Sequence, residues 1–348
     1  MSKQLQIYIN IPFRPVKCDA CPGGLYPYDQ AALKAYAIAL KREIAACGAD
    51  MDDYTVSSVR FGGCTAPIIT TRVLRELMAE VREHFQIAPD AQFSLEALPI
   101  AMTERLCVGM NYDKLSRICC RLATVHSAEW NRMGLPYEQN TSIANLTSAV
   151  KDYPPAALTL DIDYGIPGQT PASLSTTLNR VLALKPDSIR LLPTDEKSEE
   201  LYTSAADRLT AAGYRRIALR EFSLPGREDK FTLDVLSGID RLGIGAGARS
   251  YYDGIAYHNT AVLNTYLDHS ADLQAIAEDI TPIDEAAAAA RTAMLVLTTA
   301  DGLQSTAVPQ GIQAAVEAMC GSGYIQLQNS RYILTAKGIV HSDAFMNL

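Results

Sequence analysis

The chain alternates between short apolar runs and longer segments whose apolar residues recur every three or four positions. The runs Leu5–Asn10 and Val56–Phe61 predict buried strands, whereas Gln30–Ala46 and Thr71–Phe85 predict amphipathic helices with one apolar face. The same alternation continues along the next hundred residues. Further strands, each followed by a helix candidate, are predicted at Gln92–Glu96, Leu115–Cys120, Ala157–Asp161 and Ser188–Leu192.

Repeated strand–helix units favour a parallel sheet with right-handed crossovers, either open or closed into a barrel. In such folds the functional site lies at the carboxyl ends of the strands. This rule selects the segments that follow the predicted strands. They are the loop with Cys18 and Cys21, the segment Gly62–Thr65, Glu96, the pair Cys119 and Cys120, and the segment Asp161–Gln169.

The pattern changes near residue 280, where two helices are predicted at Asp284–Thr298 and Gly311–Cys320. A hairpin then follows, with strands at Tyr324–Gln328 and Arg331–Leu334. Two helices and a hairpin indicate a small winged-helix-like domain. We therefore expect domains at 1–279 and 280–348, the second acting in packing or as a lid.

Composition narrows the function classes. The 348 residues carry a net charge of −8 with no stripe of lysine or arginine, which argues against a nucleic-acid partner. No apolar run is long enough to span a membrane. Eight irregularly spaced cysteines fit a reducing compartment, and no leader-like segment is recognised, so we expect a cytoplasmic protein.

Cys18 and Cys21 form a C-x2-C pair, a spacing that suits zinc or an iron–sulfur cluster. A cysteine at position 14 would extend it to C-x3-C-x2-C, the spacing that holds a [4Fe–4S] cluster in radical S-adenosylmethionine (SAM) enzymes. That position is Arg14, which is permanently cationic and cannot replace a thiolate. A conventional cluster is therefore not expected. Metal binding by the pair and a vestigial pair of thiols both remain open.

Five segments carry a resemblance to a known family. They are Tyr8-Ile9-Asn10-Ile11-Pro12-Phe13, Phe61-Gly62-Gly63-Cys64-Thr65, Leu95-Glu96-Ala97-Leu98-Pro99, Asp161-Ile162-Asp163-Tyr164-Gly165-Ile166-Pro167-Gly168-Gln169-Thr170 and Leu242-Gly243-Ile244-Gly245-Ala246-Gly247-Ala248. In this order they resemble the oxygen-independent coproporphyrinogen III oxidase family, most closely the branch with the heme chaperone HemW.

The resemblance implies an α/β fold, a partial (β/α)6 TIM-like barrel of the radical SAM type with a small C-terminal domain. It implies a SAM site over the strand ends, with the Gly62-Gly63 loop facing the amino group of the methionine moiety. Glu96 and Asp161 would contact polar groups of SAM. The full set of cofactor-binding residues implied is Tyr8, Gly62, Gly63, Thr65, Glu96, Asp161, Ile166 and Gly245.

Departures from the family pattern place the chemistry in question. Arg14 replaces the first cluster cysteine and could instead hold an anionic ligand or substrate, or form an ordinary salt bridge. Cys64 replaces a glycine, and together with Cys120 it could complete a relocated metal site on Cys18 and Cys21. The alternative is that both are small buried apolar residues.

We therefore expect a divergent family member that binds SAM or a tetrapyrrole-like anionic ligand, heme included, without conventional radical cleavage of SAM. Three alternatives stay open. The first is an active radical enzyme with a cluster on Cys18, Cys21 and a substitute such as Cys64. The second is a non-catalytic partner protein or heme chaperone, and the third is an enzyme repurposed for an unrelated anionic substrate. Whether the chain is an enzyme is left open.

Overall fold

A computed structural model describes residues 2–14, 26–66, 70–135, 139–194 and 198–344, with the side chains of 14, 64–66 and 344 outside the description. The chain divides into two compact units. Unit 1 comprises Met1–Arg121, Gly134–Leu158 and Ile239–Ile283. Unit 2 comprises Leu122–Met133, Thr159–Gly238 and Asp284–Leu348.

Strands and helices alternate along most of the chain. The strands are β1 Lys3–Ile11, β2 Phe13–Arg14, β3 Tyr26–Pro27, β4 Tyr54–Ala66, β5 Ile87–Ala97, β6 Arg117–Ala123, β7 Leu158–Tyr164, β8 Ser188–Pro193, β9 Arg215–Arg216, β10 Glu221–Ser223, β11 Asp240–Ile244, β12 Arg249–Tyr252, β13 Ile255–Asn259, β14 Ala277–Pro282, β15 Leu303–Gln304, β16 Ile325–Gln328 and β17 Arg331–Leu334. The α-helices are α1 Gln30–Gly48, α2 Thr71–His84, α3 Glu104–Tyr112, α4 Ser127–Arg132, α5 Gln139–Asp152, α6 Pro171–Ala183, α7 Glu199–Ala211, α8 Lys230–Leu236, α9 Leu263–His269, α10 Leu273–Ile276, α11 Glu285–Thr298, α12 Gln313–Gly321 and α13 Ala336–Val340.

Unit 1 is built on a sheet in which β11, β1, β4, β5 and β6 run parallel as neighbours in that order. An antiparallel extension of β12, β13 and β14 continues from β11. The short strands β2 and β3 pair in parallel and bring together the two chain segments that flank residues 15–25. Both ends of the predicted cysteine loop are therefore fixed beside the end of β1.

The two faces of this parallel sheet differ because successive side chains of a strand point to opposite sides. Leu5, Ile7 and Ile9 of β1 are fully buried on the apolar face, where each contributes about 1.5–3 kcal/mol of hydrophobic stabilisation. Tyr8 lies level with Arg60 of β4 on the opposite, polar face. Tyr8 and Arg60 therefore lie side by side on the polar face of neighbouring strands.

Unit 2 contains the parallel pair β7–β8, to which β10 and β9 add antiparallel. Its last part contains α11, α12, α13 and a small sheet in the order β15-β17-β16. The hairpin turns at Asn329 and Ser330, both with positive φ. These are the helices and hairpin expected from the sequence, and a domain boundary at residue 280 stays a prediction.

Most predicted elements agree with the structure to within a few residues, but β4 continues through Gly62 and Gly63 to Ala66 and β5 begins at Ile87. The segment Gly62–Thr65, expected to follow a strand, is therefore part of it. The strand predicted at Leu5–Asn10 is Lys3–Ile11, and the helix predicted at Gln30–Ala46 is Gln30–Gly48. Among the described residues, no helix combines the length and apolar character that crossing a membrane requires. The cytoplasmic location stays a prediction.

Candidate functional site

Gly62 and Gly63 lie near the carboxyl end of β4, where the strand is irregular, and this bend, the Gly62–Gly63 turn, packs against Tyr8. The Gly63 N–H donates to the Tyr8 hydroxyl at 2.9 Å and to Glu96 Oε2 at 3.2 Å. A Cβ at Gly62 would meet the Tyr8 ring at 2.5 Å from Cε2, and one at Gly63 would meet the Ile11 carbonyl oxygen at 2.6 Å. Gly63 also has φ of +94°. Glycine is therefore required at both positions, for space and for conformation.

Tyr8 is flanked by charges of both signs. The Arg241 guanidinium stacks 5.0 Å from the centre of the Tyr8 ring. Burial, followed by the nearby charge of Glu96, raises the pKa of the Tyr8 phenol, and Arg241 and Arg60 oppose that shift. Tyr8 is consequently a neutral hydroxyl at physiological pH.

A second glycine turn follows β11 and closes on β1. Gly245 has φ of +105°, and a Cβ there would lie 2.7 Å from the Tyr36 hydroxyl oxygen. The Asn10 side chain donates to the Ala246 carbonyl oxygen at 2.8 Å, and Ala246 N–H donates to the Tyr36 hydroxyl at 2.8 Å. The Tyr36 hydroxyl in turn donates to the Asn10 carbonyl oxygen at 2.8 Å. Asn10 thus fastens this turn to β1.

Unit 1 therefore brings together four of the expected residues and places a fifth close to the same strand end. Tyr8, Gly62, Gly63 and Glu96 are in direct contact through the Gly63 N–H and the packing of Gly62. Gly245 lies beside Asn10, two residues along β1 from Tyr8. The arrangement offers a half-buried carboxylate beside a backbone-open turn, which suits a ligand with a cationic group.

Asp161 and Ile166 belong to unit 2. Asp161 accepts two hydrogen bonds from Arg190 of β8, at 2.6 Å from Nε and 2.8 Å from Nη2. This bidentate pair neutralises the carboxylate that the resemblance assigns to SAM. Ile166 is fully buried in the turn after β7, which Gln169 closes by accepting from Gly165 N–H at 2.9 Å.

Only some of the candidate metal ligands lie among the residues that the structure describes. Cys18 and Cys21 lie outside the described residues, as do the side chains of Arg14, Cys64 and Thr65. The β5–β6 register pairs Glu96 with Cys119 and Ala97 with Cys120. Because facing residues of a parallel pair share a side, Cys119 lies on the face of Glu96 and Cys120 on the opposite face. The four-cysteine site stays a prediction.

His258 is held by its surroundings through both ring nitrogens. Nδ1 lies 3.1 Å from the Asn259 carbonyl oxygen, and Nε2 lies 2.9 Å from Asp279 Oδ2. The hydrogen bond to Asn259, followed by that to Asp279, raises the pKa of His258. These contacts give His258 a structural role in the β13–β14 pair.

Sequence reasoning missed the residues that hold the Gly245 turn. Glu43 on α1 accepts from Gly245 N–H at 2.8 Å, and it is 1% exposed. Its signal was present, because Glu43 falls within the buried stripe that α1 presents through Tyr36, Leu40 and Cys47. A carboxylate at a core position of an amphipathic helix marks a place where a specific partner is needed.

Comparison with known proteins adds relatives over nearly the whole chain, although no family model matches it. The heme chaperone HemW of Mycobacterium tuberculosis (strain ATCC 25618 / H37Rv) is 22% identical over 362 aligned positions, covering 97% of this chain and 93% of that protein. The oxygen-independent coproporphyrinogen III oxidase of Pseudomonas aeruginosa is 26% identical, covering 75% of this chain and 65% of that protein. The solved structure of coproporphyrinogen III oxidase (HemN) from Escherichia coli, a radical SAM enzyme, superposes with a TM-score of 0.78 at 20% identity, covering 97% of this chain and 88% of that chain.

The fold and the strand-end turns define an α/β protein of the radical SAM type, with the partial TIM-like barrel expected from the sequence. In sequence the chain is similar to the family that contains the heme chaperone HemW and oxygen-independent coproporphyrinogen III oxidase, and it shares the fold of a solved member. The resemblance drawn from the five sequence segments is confirmed.

Proposed function

We propose that this protein binds SAM at the Gly62–Gly63 turn and does not cleave it reductively. The observation that carries the proposal is the joint contact of Gly63 N–H with Tyr8 and Glu96. A half-buried carboxylate beside an open glycine turn is complementary to the ammonium and sulfonium groups of SAM. The family supports the same ligand, since the E. coli relative is a radical SAM enzyme.

The residues present fit SAM better than they fit the cluster. A [4Fe–4S] cluster that activates SAM needs three thiolates and one open iron, and the motif here offers Cys18 and Cys21 with Arg14 in the first position. A guanidinium cannot be deprotonated in a protein and binds no iron. In the proposed site Arg14 contributes a positive charge instead, suited to the carboxylate of the ligand. Thr65 and Gly245 are its further backbone neighbours, as the family resemblance implies.

The Asp161–Arg190 pair supports a changed binding mode. A carboxylate that already accepts both donors of one guanidinium fork has less capacity for ligand hydroxyls.

The experiment is a calorimetric titration of SAM into the protein as isolated, before any iron reconstitution. We expect saturable binding, and about a tenfold loss of affinity in Glu96→Gln because a hydrogen bond to a charged group is removed. Glu199→Gln is the matched control, since Glu199 is an exposed carboxylate at the start of α7. Absence of saturable binding overturns the proposal. So does 5′-deoxyadenosine formation under reduction, which would indicate an active cluster on Cys18, Cys21 and a substitute such as Cys64.

A tetrapyrrole is the second candidate ligand, supported by the HemW relatives that align with 97% of the chain. His258 adjoins Asn259, which donates to the Gly245 carbonyl oxygen, and both ring nitrogens of His258 have partners. Heme titration monitored by absorption separates the candidates. Saturable heme binding without SAM binding would favour a role as a chaperone or partner protein. Loss of heme or another anionic ligand on Arg14→Ala would favour the anion-binding alternatives.

A further inference from the structure

Glu43 lies at the centre of a buried polar cluster behind the Gly245 turn, all within unit 1. Its Oε2 accepts from Gly245 N–H at 2.8 Å and from the Tyr266 hydroxyl at 2.5 Å, and its Oε1 accepts from the Asn259 side-chain amide at 2.5 Å. Asn259 also donates to the Gly245 carbonyl oxygen at 3.1 Å. Every partner of Glu43 is thus a donor, the pattern that an ionised carboxylate accepts.

Aromatic side chains pack beside this cluster. Tyr266 is fully buried, and its ring centre lies 5.2 Å from that of Tyr36. Tyr36 in turn packs edge-on against Phe13 at 5.2 Å, next to the β2–β3 pair that bounds the cysteine loop. Glu43 therefore supports two parts of the candidate site. It holds the Gly245 turn directly, and it supports the stem of the cysteine loop through Tyr266 and then Tyr36.

We infer that Glu43 is a positioning residue whose carboxylate holds the Gly245–Ala246 turn in its binding geometry and so tunes affinity for the ligand. The ligand part of this inference rests on the proposed function, whereas the role of Glu43 in holding the turn does not. A buried carboxylate of this kind is costly to the fold and is explained by the backbone N–H that it orients.

Because Glu43 can gain or lose a proton, a change of pH tests its role in holding the turn. Burial raises its pKa to about 7 against the opposing hydrogen bonds from Tyr266, Gly245 and Asn259. Among the described residues, no lysine, arginine or histidine forms an ion pair with Glu43. Protonation removes the charge that Gly245 N–H donates to, so the turn is held more firmly above the pKa than below it.

Most other titratable groups near Glu43 do not change protonation in the same pH range. Burial raises the pKa values of Tyr36, Tyr266 and Cys47 well above their usual range, so these groups stay neutral near pH 7. His258 is the exception, because it adjoins Asn259 and its pKa is raised from an ordinary value near neutrality. A variant at His258 is therefore needed as a control.

The test measures hydrogen exchange of the Gly245 amide without ligand, corrected for intrinsic exchange, at about pH 6 and about pH 8. We expect protection to rise about fivefold between them, a change of about 1 kcal/mol. Glu43→Gln should abolish the rise. His258→Gln should keep it, and the Gly247 amide, which donates to Thr260, is the internal reference.

A second variant keeps the inference testable if Glu43→Gln does not fold. Tyr266→Phe removes a hydrogen bond that lowers the pKa of Glu43, so the midpoint of the protection profile should move to higher pH. A flat protection profile in the unaltered protein would overturn the inference. So would a rise in protection with pH that persists in Glu43→Gln. SAM affinity should follow the same profile. Failure of SAM to bind at either pH would count against the proposed function alone.

Discussion

Substitution of Gly62 by alanine tests the packing on which the candidate site depends. The added Cβ would lie under 3.0 Å from three atoms of the Tyr8 side chain, including Cε2 at 2.5 Å. Tyr8 must then move, and the hydrogen bond from Gly63 N–H to its hydroxyl is lost. Overpacking costs about 1–3 kcal/mol and the lost hydrogen bond about 1 kcal/mol, so we expect Gly62→Ala to destabilise by about 3 kcal/mol.

The assay is urea unfolding followed by circular dichroism, arranged as a double-mutant cycle with Tyr8→Ala. In the Tyr8→Ala background the clash is absent, so Gly62→Ala should cost less than about 0.5 kcal/mol, giving a coupling of about 2 kcal/mol. Gly311→Ala is the matched control, because nothing lies within 4 Å of a Cβ there. Equal costs of Gly62→Ala in both backgrounds would refute this account of the turn.

Two further substitutions test charged contacts outside that turn. His258 loses its ion pair with Asp279 on deprotonation, and since its pKa is raised in the folded state, its stabilising contribution is complete below its unfolded pKa and is lost as pH rises through the folded pKa. His258→Gln should remove that part of the pH dependence, read from urea midpoints across neutral pH. Arg190→Ala should destabilise by about 3 kcal/mol because it strands the nearly buried Asp161 carboxylate, with Arg190→Lys intermediate. Thermal unfolding would check this, and an unchanged midpoint in Arg190→Ala would contradict it.

Local sequence patterns were sufficient to predict most helices and strands. They were insufficient to predict which of these elements contact one another. The strand at Lys3–Ile11 and the helix at Gln30–Gly48 follow from apolar spacing alone, which is a property of neighbouring residues. The antiparallel extension β12–β14 was missed. Its strands are short, β13 is mostly half-buried and β14 is largely exposed, so their apolar alternation is weak.

The residues of the candidate site were likewise predicted only in part. Gly62, Gly63 and Glu96 were found because they follow predicted strands and match family segments. The contact between Asn10 and Ala246 joins residues 236 positions apart, and that between Glu43 and Gly245 spans 202 positions. Such pairings depend on which strands become neighbours, which no local pattern specifies.

We propose that the fold of a radical SAM enzyme persists here without its conventional cluster. The most direct measurement is the iron and sulfide content of the unaltered protein and of Arg14→Cys after identical anaerobic reconstitution. The account predicts about four irons and four sulfides per chain in Arg14→Cys, where the C-x3-C-x2-C spacing is restored, and no such cluster in the unaltered protein. About four irons in the unaltered protein would contradict it.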